Sequence, residues 1–177
     1  MERARDWPLE VHRTLKAARV RVVGYVPDAG LTRLIALCRA DRAMRSVALT
    51  TEEEGIGLAA GAWLGGARAA LLMQSSGVGN CVNALGMIAE CRIPLLLIVT
   101  MRGERGEFNS WQVPMGRAAG RVLREMEVKV FRAADENVID SCLKKTINHA
   151  FRGGGAAALL IAQRVIGIKS FAGESRK

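Results

Sequence analysis

Residues 93–100 read Ile-Pro-Leu-Leu-Leu-Ile-Val-Thr, an uncharged run that is apolar on both of its alternating faces. A strand of this kind has no face to give to water. It belongs in the middle of a parallel sheet covered on both sides. The neighbouring sequence supplies the cover. Only 5% of the residues are aromatic while half are hydrophobic, so Ala, Gly, Val, Leu and Ile do the packing. That mixture suits close helix-on-sheet contact better than a β-sandwich.

The rest of the chain alternates in the same sense. Short β-branched or apolar runs at 20–26, 46–49, 68–73, 128–131 and 156–161 read as strands. Helical segments are expected over 7–19, from an Asp28 cap to about residue 40, and over 52–65, 77–90, 114–126 and 136–151. Six strands, each linked by a helix, predict an α/β fold: three layers, a parallel sheet of about six strands, and helices on both faces. No internal repeat or linker divides residues 1–177, which read as one domain with short polar tails. The tail after Gly167 is expected to fray.

The chain carries 26 Lys and Arg against 17 Asp and Glu, for a net charge of +9. The basic residues are spread along it with few aromatics between them, which fits an anionic substrate or an acidic partner as well as nucleic acid. The four cysteines (Cys38, Cys81, Cys91 and Cys142) have no CxxC spacing, and the only histidines, His12 and His149, lie far apart. Reduced thiols, a cytoplasmic setting and no metal site on this chain are expected. The N-terminus does not read as a signal peptide, and the longest uncharged apolar run, 55–67, is too short to span a membrane.

Four stretches carry chemistry. In Thr51-Glu52-Glu53-Glu54-Gly55-Ile56-Gly57-Leu58-Ala59-Ala60-Gly61, three acids open an apolar segment. Acids suit a helix N-terminus. Yet a carboxylate where a strand gives way to a helix, beside apolar surface, is also placed for proton transfer. Gln74-Ser75-Ser76-Gly77-Val78-Gly79-Asn80 joins a strand to a helix, and its glycines permit close approach of a ligand to helix N–H groups. It is not a dinucleotide fingerprint, since Val82 stands where a third glycine is needed. A tight turn with Asn80 bonding backbone is the plainer reading. Asp28, after Tyr25-Val26-Pro27, reads as a helix cap. The loop Arg102-Gly103-Glu104-Arg105-Gly106-Glu107, leading to Trp111-Gln112, is a charged surface loop or a substrate-contact loop.

In order and spacing, these pieces resemble the pyrimidine-binding (PYR) domain of thiamine-diphosphate enzymes. The likeness is to the decarboxylases of 3-sulfopyruvate and 3-phosphonopyruvate. It rests on Val26-Pro27-Asp28, on the segments from Glu52 to Gly61 and from Met73 to Asn80 with Asn83-Ala84-Leu85, and on Ile93-Pro94-Leu95-Leu96 with Arg102-Gly103, Gln112 and Gly116-Arg117.

Aligned on Ala59-Ala60-Gly61, the resemblance makes Glu52 the catalytic glutamate, and leaves Glu53 and Glu54 as helix-start acids. In such enzymes that carboxylate hydrogen-bonds N1′ of the cofactor's aminopyrimidine, favouring the tautomer whose 4′-nitrogen takes the proton from thiazolium C2. The resemblance further implies a catalytic role for Asp28. It implies cofactor contacts at Glu52, Gln74, Ser75, Gly77, Gly79 and Asn80, and substrate contacts at Arg102 and Gln112. Phosphonopyruvate decarboxylases tend to have His after the matching Gln, where this chain has Val113. The family's diphosphate motif, Gly-Asp-Gly followed by Asn, does not occur here. The resemblance therefore implies the α subunit of a split decarboxylase, whose β partner holds Mg²⁺ and the diphosphate of a shared thiamine diphosphate. A non-catalytic regulatory subunit of the same fold, a doubly wound nucleotide-binding protein and a nucleic-acid binder are the rival expectations.

Overall fold

In the computed structural model, residues 6–167 are described; the expected frayed tail after Gly167 and the residues before Asp6 lie outside them. Helices and strands alternate as α1 (Trp7–Ala17), β1 (Val20–Tyr25), α2 (Thr32–Ala40), β2 (Arg45–Ala48), α3 (Glu52–Leu64), β3 (Arg68–Gln74) and α4 (Gly77–Glu90). They continue as β4 (Leu95–Thr100), α5 (Gln112–Glu125), β5 (Lys129–Ala133), α6 (Ile139–Gly153), β6 (Ala156–Ile161) and α7 (Gln163–Ile166). The six strands form one sheet in the order β2-β1-β3-β4-β6-β5, and every neighbouring pair is parallel.

The two-residue period of a strand divides the core in two. On β3 and β4, Ala70, Leu72, Leu96 and Ile98 face one side, where α1, α2 and α6 supply Val11, Leu15, Leu34, Ile139 and Leu143. Leu71, Met73, Leu95, Leu97 and Val99 face the other, against Ile56, Val78, Leu85, Ala119 and Leu123 of α3, α4 and α5. The residues of β4 are fully buried along its whole length, as its two-sided apolar sequence requires. Each leucine so buried contributes about 1.5–3 kcal/mol relative to exposure. The small residues serve close packing. A Cβ on Gly55 would lie 2.3 Å from Leu71 Cδ1, so only glycine lets α3 lie this near β3.

Local chemistry sets the boundaries. α1 starts where the Asp6 side chain accepts a hydrogen bond from Leu9 N, with Pro8 in the first turn. α6 ends at Gly154, whose φ of 73° is the left-handed conformation that glycine adopts without strain. β4 begins at Leu95, two residues later than expected, because Pro94 has no N–H for the ladder. α5 begins at Gln112 rather than Pro114, with the proline accommodated in its first turn. α2 is preceded by a 3₁₀ turn, Ala29–Leu31, which Asp28 caps. The four-residue α7 was not anticipated, being too short to show a period.

Because all strands run the same way, the residues that follow them gather at one edge of the sheet. There the chain turns toward α2 after β1 and toward α4 after β3, on opposite faces and to opposite sides. Such a divergence opens a crevice where α/β sheets take ligands.

Candidate active site

Glu52 is the first residue of α3 and Gly77 the first of α4, and the two helices lie side by side on one face of the sheet. The Glu52 side chain runs across the start of α4. It is buried, with 6% of its surface exposed, and its Oε2 accepts a hydrogen bond from Asn80 Nδ2 at 2.8 Å. Gly77 makes room for it: a Cβ there would fall 2.3 Å from Glu52 Oε1. That oxygen accepts no hydrogen bond from the described residues, and it is not sealed from solvent. A buried carboxylate with one anchored and one open oxygen is equipped to accept a hydrogen bond from a ligand N–H.

The neighbouring acids behave differently. Glu53 and Glu54 are exposed, and Glu54 Oε2 accepts a bond from Thr50 N at 2.9 Å, an ordinary helix-start role. Asn80 does not bond backbone, as the plain turn reading had it, but reaches Glu52 from one turn into α4. Cys81 follows Asn80 on α4 and is buried; burial, with a smaller effect from the charges of Glu52 and Glu53, pushes its thiol up to about 12. The protonated, inert thiol is wall rather than nucleophile.

Asp28 follows β1 at the same edge. Its Oδ2 accepts from Gly30 N at 3.0 Å and from the Thr100 hydroxyl at 3.1 Å. It therefore caps a 3₁₀ turn and also ties the end of β1 to the end of β4. Gln74 is half-buried at the end of β3, while Gly79 is exposed and packs near Met115 of α5. Ser75 is fully buried: its N–H donates to Thr100 O at 2.9 Å, and its Oγ accepts from Arg102 N at 3.0 Å.

Arg102, expected to meet an anion, is instead turned inward. Its side chain is 3% exposed and forms a two-pronged pair with Glu107, itself 1% exposed, through Nε–Oε2 at 2.7 Å and Nη2–Oε1 at 2.5 Å. The same carboxylate accepts from Gly103 N, Asn109 N and Gln163 Nε2. The Arg102 guanidinium, helped by the Gly103 and Asn109 N–H groups and against the cost of burial, holds the Glu107 carboxyl down at about 2. Gln163, at the start of α7, exchanges bonds with Glu104 as well, its Oε1 accepting from Glu104 N and its N–H donating to Glu104 Oε2, both at 2.9 Å. Gln112 is half-buried where the loop enters α5. The backbone of this corner is packed to contact, for a Cβ on Gly116 would lie 2.0 Å from Arg102 O.

The structure thus brings Glu52, Gly77 and Asn80 into one cluster and gathers Asp28, Gln74 and Ser75 along the same edge. Arg102 goes to a second, internal cluster. Sequence reasoning passed over Glu107, Gln163 and Thr100. Glu107 stands only five residues from Arg102, but in a loop without a regular period that spacing does not specify a pair.

Comparison with known proteins identifies the family. Residues 10–114 match the thiamine pyrophosphate enzyme N-terminal TPP-binding domain. The chain belongs to the thiamine pyrophosphate enzyme family.

Among relatives, it is 44% identical to sulfopyruvate decarboxylase subunit alpha of Methanothermobacter thermautotrophicus over 119 residues, 67% of this chain and 72% of that protein. The same-named protein of Methanocaldococcus jannaschii is 32% identical over 153 residues, 86% of this chain and 90% of the relative. Phosphonopyruvate decarboxylase of Streptomyces viridochromogenes is 42% identical over 106 residues, 59% of this chain but 27% of that longer protein. The fold is shared with 2-oxoglutarate:ferredoxin oxidoreductase from Magnetococcus marinus at a TM-score of 0.70 and 13% identity. That match takes in 96% of this chain and 34% of the other. Asp28, Glu52, the 74–80 turn and Arg102 all lie inside the thiamine pyrophosphate enzyme match, and Gln163 lies beyond it.

Proposed function

We propose that this thiamine pyrophosphate enzyme domain is the α subunit of a 2-oxoacid decarboxylase. Its preferred substrate is 3-sulfopyruvate, converted to sulfoacetaldehyde and CO₂, with phosphonopyruvate second. The observation that carries this reading is the Glu52 carboxylate, buried, anchored by Asn80 and open at Oε1. Glu52 Oε1 would accept the hydrogen bond from N1′ of a bound cofactor's aminopyrimidine and keep the proton at that nitrogen. Asn80 keeps the carboxylate turned the right way, and Gly77 leaves the space it occupies. Gln74, Ser75 and Gly79 form the adjoining wall. The bound cofactor's thiazolium supplies the electron sink for loss of CO₂. Asp28, steadied by Thr100, faces the reacting end of the substrate, and Gln112 meets its anionic end. Arg102 acts on this end through Glu107, by holding the loop in place.

Residues 1–177 act as one pyrimidine-binding domain whose cofactor is shared with a β partner, which holds Mg²⁺ and the diphosphate. Two observations support a partner. Several relatives carry the name subunit alpha. In addition, α3 presents Gly57, Gly61 and an 80% exposed Leu64, at i, i+4 and i+7 on one side, to solvent, a small-residue apolar face that a second chain would cover. A hetero-oligomer in the cytoplasm accords with this and with four unpaired thiols.

The test is reconstitution with the partner, thiamine diphosphate, Mg²⁺ and 3-sulfopyruvate, with release of CO₂ as the readout. Activity is expected in the complex and is lost in Glu52→Gln while assembly persists. Full activity in Glu52→Gln would move the chain to the regulatory reading. Tight cofactor binding by the chain alone would remove the shared site.

A further inference from the structure

At the opposite edge of the sheet lies a cavity of about 530 Å³, lined by Arg19 just after α1, by Arg68 at the start of β3, and by Lys144, Ile147, Phe151 and Arg152 of α6 among others. Its volume is within the about 300–1,000 Å³ range of small-molecule sites. β3 separates it from the Glu52 cluster by roughly 20 Å, at about 3.3 Å per residue.

The lining is one-sided in charge. Arg19, Arg68, Lys144 and Arg152 face the cavity, and none of the lining residues is an acid. Lys144 is paired with Asp140 at 2.6 Å, the same carboxylate that accepts from Thr14 Oγ1. Arg68 is built in: it is half-buried, donates Nη1 to Ala18 O at 2.8 Å, and stacks its guanidinium 5.0 Å from the centroid of Phe151. Arg19 and Arg152 form no ion pair or side-chain hydrogen bond with any described residue. The floor is apolar, with Ala18, Ile147 and Phe151 packed on the core. Cations over a low-dielectric floor focus a positive potential in the recess. Three guanidiniums also offer the forked donors that match phosphate oxygens.

We propose that this cavity is a second ligand site, for a small polyanion bearing phosphate groups, separate from the thiamine end of the domain. Arg68 forms its fixed wall, and Arg19 and Arg152 close on the anion from either side.

Calorimetric titration of inorganic pyrophosphate tests this, on the full chain alone and on the complex saturated with thiamine diphosphate. Saturable binding of one pyrophosphate per chain is expected in both, weakening as salt rises. The Arg19→Gly/Arg152→Gln double variant is expected to bind at least tenfold more weakly. Glycine suits the φ of 59° at residue 19, so the fold is not strained by this change. Arg152→Lys retains binding, Glu52→Gln leaves it unaltered, and turnover without pyrophosphate is the same in the double variant as in wild type. Absence of saturable binding to the wild type overturns the proposal, and so does equal affinity in the double variant.

Discussion

Two carboxylates are buried at the same edge of this sheet, and they are treated in opposite ways. Glu107 accepts five hydrogen bonds, two of them from a buried guanidinium, and has no capacity left for a ligand. Glu52 accepts one, from a neutral amide, and keeps an oxygen in reserve. A fully satisfied buried charge stabilises a particular backbone arrangement, here the loop between β4 and α5. A partly satisfied one still has an oxygen that a ligand donor can reach. On the proposed function, it is the count of partners rather than burial alone that separates the active-site acid from the structural one.

The comparison is broken most directly at Glu52. Glu52→Gln preserves shape; with its amide oxygen on Asn80, its NH₂ group takes the open position and replaces the acceptor by a donor. Its expected effect is a loss of decarboxylation in the reconstituted complex of about 10²–10⁴-fold, with thermal stability close to wild type. Unchanged turnover would show that the two acids do not differ in the way proposed.

Glu107→Ala should do the reverse. Removing one partner of a buried pair leaves the Arg102 charge uncompensated and costs about 3–5 kcal/mol, read as a shift in the urea unfolding midpoint. A double change that removes both charges should recover part of that loss. A smaller cost, about 1–3 kcal/mol, is expected for Gly77→Ala, whose Cβ has to displace the Glu52 carboxylate. Cofactor binding in the complex should fall with it.

Acid tests the Glu107 side of the comparison more finely. The Glu107 carboxyl sits below its ordinary value in the folded chain, at about 2. Its contribution to stability is therefore fully present above about pH 4.3, the unfolded value, and is lost as the pH falls from there toward 2. Unfolding midpoints measured from pH 5 to pH 2 should drop more steeply in wild type than in Glu107→Gln. The smallest effect belongs to Asn80→Ala. It removes one part-buried hydrogen bond to a charged group, worth about 1.5 kcal/mol, the low end for such bonds, and should lower turnover more visibly than stability.

Much of the scaffold was legible residue by residue. The two-sided apolar run of β4, the short β-branched strands and the glycine-punctuated turns place all six strands and the six longer helices within a few residues. What was missed at that level is instructive. Pro94 and Pro114 moved two boundaries because a proline constrains hydrogen bonding and not hydrophobicity. Arg102 was read as a substrate contact because a conspicuous arginine in a long loop after a central strand invites that reading. Its burial depends on Gln163 and Glu107 closing over the same corner. Glu52 was set apart from Glu53 and Glu54 by the family resemblance aligned on Ala59-Ala60-Gly61, since the residues alone favoured a helix-start role for all three; what the structure adds is its burial against Asn80.

The sequence by itself determined the layered α/β architecture and which face of each strand is covered. Those follow from periodicities of two and of 3.6 residues, which are written into neighbouring positions. Only the tertiary structure decided which charges are satisfied and which are left open. The partner of Glu52 lies 28 residues away at Asn80, and one of those of Glu107 lies 56 residues away at Gln163. Such pairings exist only once parallel strands have carried their C-terminal ends to a common edge, and no local pattern encodes them.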